Sequence, residues 1–219
     1  MTTETGTLPQ ESVPQTVVAA SETNIKANPG SRVLHVGRVG WYYTQILDSD
    51  KTTPLYNISN KYGSMEPDPR MTISNAGSNS VVGTVAIHPL SKNMDLVVNE
   101  KPICLEASSA LTTGRVFSSQ AAAGRKFKWT FDSAITRDMV CMDDRDKVVA
   151  KFEGSSSLTN GDNYFEIEPE FEGELFEEIL ISGLAMMERR AQRNRHGFGG
   201  TVVSGIRVAG HPFKSSSHE

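Results

Sequence analysis

This chain has little of what marks a membrane-spanning or disulfide-built protein. No run in its 219 residues approaches the ~18 consecutive apolar residues of a bilayer-crossing helix. Two cysteines, Cys104 and Cys141, are too few for a disulfide scaffold or a four-cysteine zinc site. There is no excess of positive charge. The formal net charge is -4 and the isoelectric point is about 5.8, which argues against a global nucleic-acid footprint. A hydrophobic share of 37% is low for a chain folded end to end, so part of the length is expected outside the fold.

Residues 1–30 carry that deficit. They are rich in Thr, Ser, Glu, Pro and Gln, with one short apolar cluster from Val17 to Ala20. Such a segment buries too little surface to offset its ordering entropy, and disorder is expected there. It has neither the basic start nor the longer apolar stretch of a secretory signal, which points to the cytoplasm. In that reducing compartment both cysteines are expected as free, buried thiols, and the Asn57-Ile58-Ser59 sequon as silent. Residues 197–219 form a Gly/Ser-rich tail. Within it Thr201 to Val208 reads equally well as a weak strand or an extended segment.

Between the ends, short apolar or β-branched runs alternate with turn residues. Twelve candidate strands emerge, at 33–36, 41–47, 54–59, 70–74, 81–88, 94–98, 102–107, 114–118, 125–131, 136–142, 147–153 and 163–168. Asp48-Ser49-Asp50, Asn75 to Asn79 and Asp143 to Asp146 are typical breaks. Many short strands with no helix between them indicate a sandwich or barrel of antiparallel sheet. In Lys126-Phe127-Lys128-Trp129-Thr130-Phe131 the aromatics share one face and the lysines the other.

One long helix follows, expected at 173–196. Acidic Glu172, Glu174, Glu177 and Glu178 stand at its start. Arg189, Arg190, Arg193, Arg195 and His196 stand at its end, with Gly197 as the stop. Its apolar residues from Leu175 to Met187 cover nearly the whole circumference, so it should be buried on every side. Those 13 residues span about 20 Å, close to the length of a five- or six-residue strand. The lengths suit a helix threaded through a barrel. A helix about 10–12 Å wide needs more than eight strands around it, and twelve are available. The expected fold is therefore mainly β, a closed antiparallel barrel of about 12 strands around a central hydrophobic C-terminal helix, over residues 31–196.

Taken together, Gly124-Arg125-Lys126-Phe127-Lys128-Trp129, Asp146 to Phe152, Phe165-Glu166-Ile167 and the helix Leu175 to Arg190 resemble the tubby C-terminal-like superfamily. That superfamily includes tubby, the LURP-one-related proteins and the phospholipid scramblases. The resemblance is strongest to small fungal members and covers roughly residues 40–195. It implies a twelve-stranded barrel around a mostly apolar helix. For function it implies a phosphoinositide-docking module, as in tubby, or a lipid-moving activity, as in scramblases. Neither set of binding residues matches this sequence one by one. The residues after 197 depart from the usual pattern, in which the helix closes the domain.

Catalytic machinery is not legible. The sequence has no GxSxG elbow, P-loop or HExxH motif. Its five histidines lack metal-ligand spacing, and no cofactor is expected. Asp143 to Asp146 lacks the Gly and distal Glu of a calcium loop and reads as a hairpin turn. Two basic sets remain. Arg125, Lys126 and Lys128 lie on or beside a strand; Arg189, Arg190 and Arg193 lie at the helix end. Either they bind an anionic headgroup or they are a solvated strand face and a dipole-matched helix end. The expectation is a non-enzymatic cytoplasmic module that docks an anionic membrane surface. The alternative is a scaffold for an unidentified protein partner. Nucleic acid is not an expected partner.

Overall fold

The structure is a computed structural model that describes residues 30–39, 42–61, 70–88, 91–108, 114–131, 138–154 and 163–204. The segment 1–29, Trp41 and residues 205–219 lie outside the described residues, and with them the expectations placed there.

Twelve strands run in order: β1 (Arg32–Val39), β2 (Tyr42–Leu47), β3 (Pro54–Asn60), β4 (Met71–Asn75), β5 (Val81–Ile87) and β6 (Met94–Val98). They continue with β7 (Lys101–Ala107), β8 (Arg115–Ser118), β9 (Lys126–Phe131), β10 (Met139–Asp143), β11 (Val148–Glu153) and β12 (Tyr164–Ile167). Each pairs antiparallel with its neighbours in sequence, and β1 pairs with β12 to close the barrel. An even number of up-and-down strands is what allows an antiparallel sheet to close with no free edge. The period of two sets which residues face in. On β6, Met94, Leu96 and Val98 are buried while Asp95 and Val97 are exposed. On β9, Phe127 and Trp129 are buried, and Lys126 and Lys128 face out as the alternation requires.

The helix α1 (Gly173–Ser204) fills the interior. From Phe176 to Glu188 every residue except Glu177 is buried, on all sides of the helix. Two glycines permit the close fit. A Cβ on Gly183 would stand 2.6 Å from Phe165 Cε1, and one on Gly83 would stand 2.6 Å from Ile181 Cδ1. Polar links set the helix in register. Trp129 Nε1 donates to Ser182 Oγ at 2.8 Å, and that hydroxyl donates to the Ile179 carbonyl at 2.9 Å.

Two expectations need correction. The helix does not stop at Gly197 but continues through Gly199 and Gly200 to Ser204. A glycine ends a helix only by turning left-handed; otherwise it is a weak residue in a ladder already nucleated upstream, where each further residue adds one bond. Cys104 is exposed, whereas Cys141 is buried and both are free. Cys104 lies between the inward Ile103 and Leu105 on β7, so the strand alternation turns it outward.

Candidate functional site

Among the described residues, the first turns of α1 are rich in Glu and the stretch from Arg189 to Arg193 is rich in Arg. At the mouth where α1 enters, its acidic first turns are anchored on the rim. Lys101 Nζ meets Glu174 Oε2 at 2.6 Å. Tyr56 Oη donates to Glu177 Oε1 at 3.2 Å, and Asn99 Nδ2 donates to Glu177 Oε2 at 2.6 Å. Glu178 is buried, and accepts from Ser119 Oγ and from the amides of Gln120 (3.1 Å) and Ala121 (2.9 Å). A shallow depression of about 420 Å³ opens at the same mouth, lined by Gly30, Arg32, Pro169, Phe171, Glu172 and Gly173.

Arg125 belongs to this end. It pairs with Asp143 and, at 3.1 Å, with Asp144, and lies 5.5 Å from the centroid of the Phe127 ring. Its charge is answered locally. Lys126 and Lys128 stand on the outer wall of β9, opposite Ser118 and Val116 of β8.

Arg189, Arg190 and Arg193 lie at the other mouth. From Glu178 to Arg189 the helix rises about 16 Å, and Lys126 and Lys128 face outward from the wall, on the side away from the helix. Arg189 Nη1 donates to the His88 carbonyl at 3.3 Å and Nη2 to the Ser91 carbonyl at 2.9 Å, which ties α1 to the β5–β6 connection. Arg190 stacks 4.6 Å from the centroid of Phe131. Arg193 is exposed.

A further arginine belongs here, and the sequence reading missed it. Arg115 is 2% exposed at the start of β8, with Nη1 donating to the Gly114 carbonyl at 2.8 Å. Burial, and then the charges of Arg193 and Arg189, hold its pKa below the usual arginine range. Burial and then Arg193 do the same to Arg189. The three cations therefore crowd one another at this end. The period of two was the signal that locates Arg115, since it shares a face with the inward Phe117.

Neither thiol is poised as a nucleophile. Burial and the nearby Asp143 push Cys141 well up, and burial and Asp95 raise Cys104. His88 Nε2 lies 2.8 Å from Asp95 Oδ2 on the outer wall. Among the described residues no three His, Cys, Asp or Glu side chains are grouped to hold a metal ion. Among them, too, no helix is long and apolar enough to cross a membrane.

No curated protein matches this chain. Among solved structures, the X-ray structure of a protein from Arabidopsis thaliana is similar, with a TM-score of 0.43 and 11% sequence identity. The similarity covers 76% of this chain and 94% of that one. A protein family described as "Family of unknown function (DUF6593)" matches residues 42–193. That span is more than half of the sequence and takes in everything from β2 to the crowded arginines of α1, so the chain belongs to the DUF6593 family.

Proposed function

We propose that this protein is a non-enzymatic cytoplasmic module that docks peripherally on an anionic phospholipid surface, with the arginine-bearing mouth of the barrel facing the membrane. The observation that carries the reading is the gathering of Arg115, Arg189 and Arg193 at one end, where the charges of Arg193 and Arg189 act on the buried Arg115 and that of Arg193 acts on Arg189. Cations held together despite their repulsion suit an anionic partner, and each basic residue near an acidic membrane contributes about 1 kcal/mol. The overall charge of -4 does not help this reading, so the attraction has to come from the local cluster. Exposed Glu170, Glu172 and Glu174 lie at the opposite mouth, where Lys147 and Lys101 pair with Glu170 and Glu174. The resemblance to the tubby C-terminal-like superfamily, with its phosphoinositide-docking and scramblase-like members, supports the same reading.

Sedimentation with vesicles containing phosphatidylserine, at low and high salt, tests it. Wild type should pellet at low salt and be released as the charges are screened. Arg190→Glu with Arg193→Glu should stay in the supernatant, while Lys126→Glu with Lys128→Glu should pellet normally. If wild type does not pellet at low salt, the reading is wrong. If only the lysine reversals abolish pelleting, the contact lies on the β9 wall instead. A second reading, a protein-interaction scaffold with no lipid role, has one observation in its favour. Val81 and Val97, on the adjacent strands β5 and β6, are 60% and 41% exposed.

A further inference from the structure

We propose that the arginine-bearing mouth is a binding site for a phosphomonoester, with Arg189 Nε, Gln192 Nε2 and the Arg193 guanidinium as donors and Arg115 as the positive charge behind them. As a lipid headgroup site it rests on the docking reading above; as a site for a free phosphate compound it does not.

Residues 189, 192 and 193 are spaced i, i+3 and i+4, so they share one face of α1. The two carbonyl bonds of Arg189 fix its guanidinium and account for both Nη atoms. They leave Nε buried with no acceptor, and Gln192 Nε2, one turn on, is also buried with no acceptor. A role as a strut between α1 and the β5–β6 connection explains the Nη bonds and neither orphan. Buried donors almost always have an acceptor, protein or otherwise, because leaving one unmade costs the full desolvation of the group.

The missing acceptor should be an anion, since Arg193 acts on Arg189 as a nearby positive charge, and both act on Arg115. It should also offer several oxygens. A phosphomonoester dianion has three free oxygens for three donors, whereas a phosphodiester has two and a single charge. The length of the helix removes one objection. Had α1 ended at Gly197, its negative pole would lie within a turn of Arg193 and repel an anion. The helix continues to Ser204, which puts that pole about 16 Å beyond Arg193.

The test uses the full chain, inorganic phosphate, and two sets of vesicles with matched surface charge. One set carries phosphatidic acid, which has a phosphomonoester; the other carries phosphatidylserine, which does not. Inorganic phosphate should raise Tm more than chloride at the same ionic strength. Phosphatidic acid vesicles should bind about 10-fold more tightly than phosphatidylserine vesicles, the worth of one charge-assisted hydrogen bond. Gln192→Leu and Arg193→Gln should each lose both the Tm response and the preference, with the phosphate-free Tm confirming that they fold. If phosphate leaves Tm unchanged and the two vesicles bind alike, the site is refuted while surface docking stands. If phosphate raises Tm, the variants abolish the rise and neither vesicle pellets, the ligand is a free phosphate compound; the site stands and the docking reading falls.

Discussion

Gly183 sits where the helix meets two aromatic rings of the wall. A Cβ there would stand 2.6 Å from Phe165 Cε1 and 2.9 Å from Trp129 Cζ2. Neither ring can bend aside as a flexible chain end would, and Trp129 is also held by its bond to Ser182. Gly183→Ala gains helix propensity of about 1 kcal/mol but overpacks the core. We expect a net loss of about 1–2 kcal/mol, read as a lower Tm. The β6–β7 hairpin predicts the opposite sign. Asn99 and Glu100 both have positive φ, at 48° and 65°, the pattern of a two-residue turn that favours Asn followed by Gly. Glu100→Gly relieves a strained, exposed position and should raise stability by about 0.5–1 kcal/mol. Asp143 sets a pH dependence. Burial would raise its pKa, but the amides of Lys147 and Arg145 and the Arg125 charge outweigh that and hold it below the usual value. A carboxyl depressed in the folded state stabilises above its unfolded pKa of about 3.9, and the contribution disappears as pH falls through the lower folded value. Wild type should therefore lose Tm below about pH 4. Asp143→Asn should start lower and lose less over that window; equal acid sensitivity in the two proteins would remove Asp143 from the account.

At the scale of the element, Glu178 joins α1 to the barrel. One carboxylate accepts a hydroxyl and two backbone amides from the β8–β9 turn inside a buried environment. Glu178→Ala leaves those donors without their acceptor, and a cost of about 3–5 kcal/mol is expected in a urea titration. A loss under 1 kcal/mol would mean that water reaches the turn. Glu178→Gln keeps the shape and one acceptor, so it should fall between the two. The strands and the helix were legible in the sequence because their signals are local. Alternating burial on β9, turn residues at Asp143 to Asp146 and apolar coverage of the whole helix surface each lie within a few residues. The end of α1 was not legible, because Gly197 reads as a stop when isolated from the helix already formed before it. The site was legible only in part. Arg189 and Arg193 show in the sequence as a basic cluster, but Arg115 joins them through the barrel's register, across more than seventy residues of chain. The neutralisation of Arg125 by Asp143 and Asp144 is likewise a contact between two hairpins.

For the whole molecule, the topology divides the pairings into local ones and a single distant one. Eleven of the twelve strand pairings join sequence neighbours, and only β1 with β12 brings distant segments together. That seam pairs Arg32 with Ile167, so it carries the largest loop-closure entropy of the twelve pairings. The helix follows the seam in sequence yet supplies the centre of the barrel. Without it, inward residues such as Leu34, Met71, Leu96 and Phe127 would line an open lumen. Phe176, Ile179, Leu180, Ile181 and Leu184 are each 3% exposed or less, and their burial contributes on the order of 10 kcal/mol. That is comparable to the net stability of a whole domain. A chain ending at Glu172 keeps every strand and every strand pairing, but loses the contents of the barrel. We expect it to show no cooperative melting transition and to bind a dye specific for exposed apolar surface, as Leu180→Asp should in the full-length chain. Recovery of a sharply melting, monomeric β-protein from the shortened chain would show that the strands close on themselves unaided. The helix would then be an occupant of the barrel rather than its core.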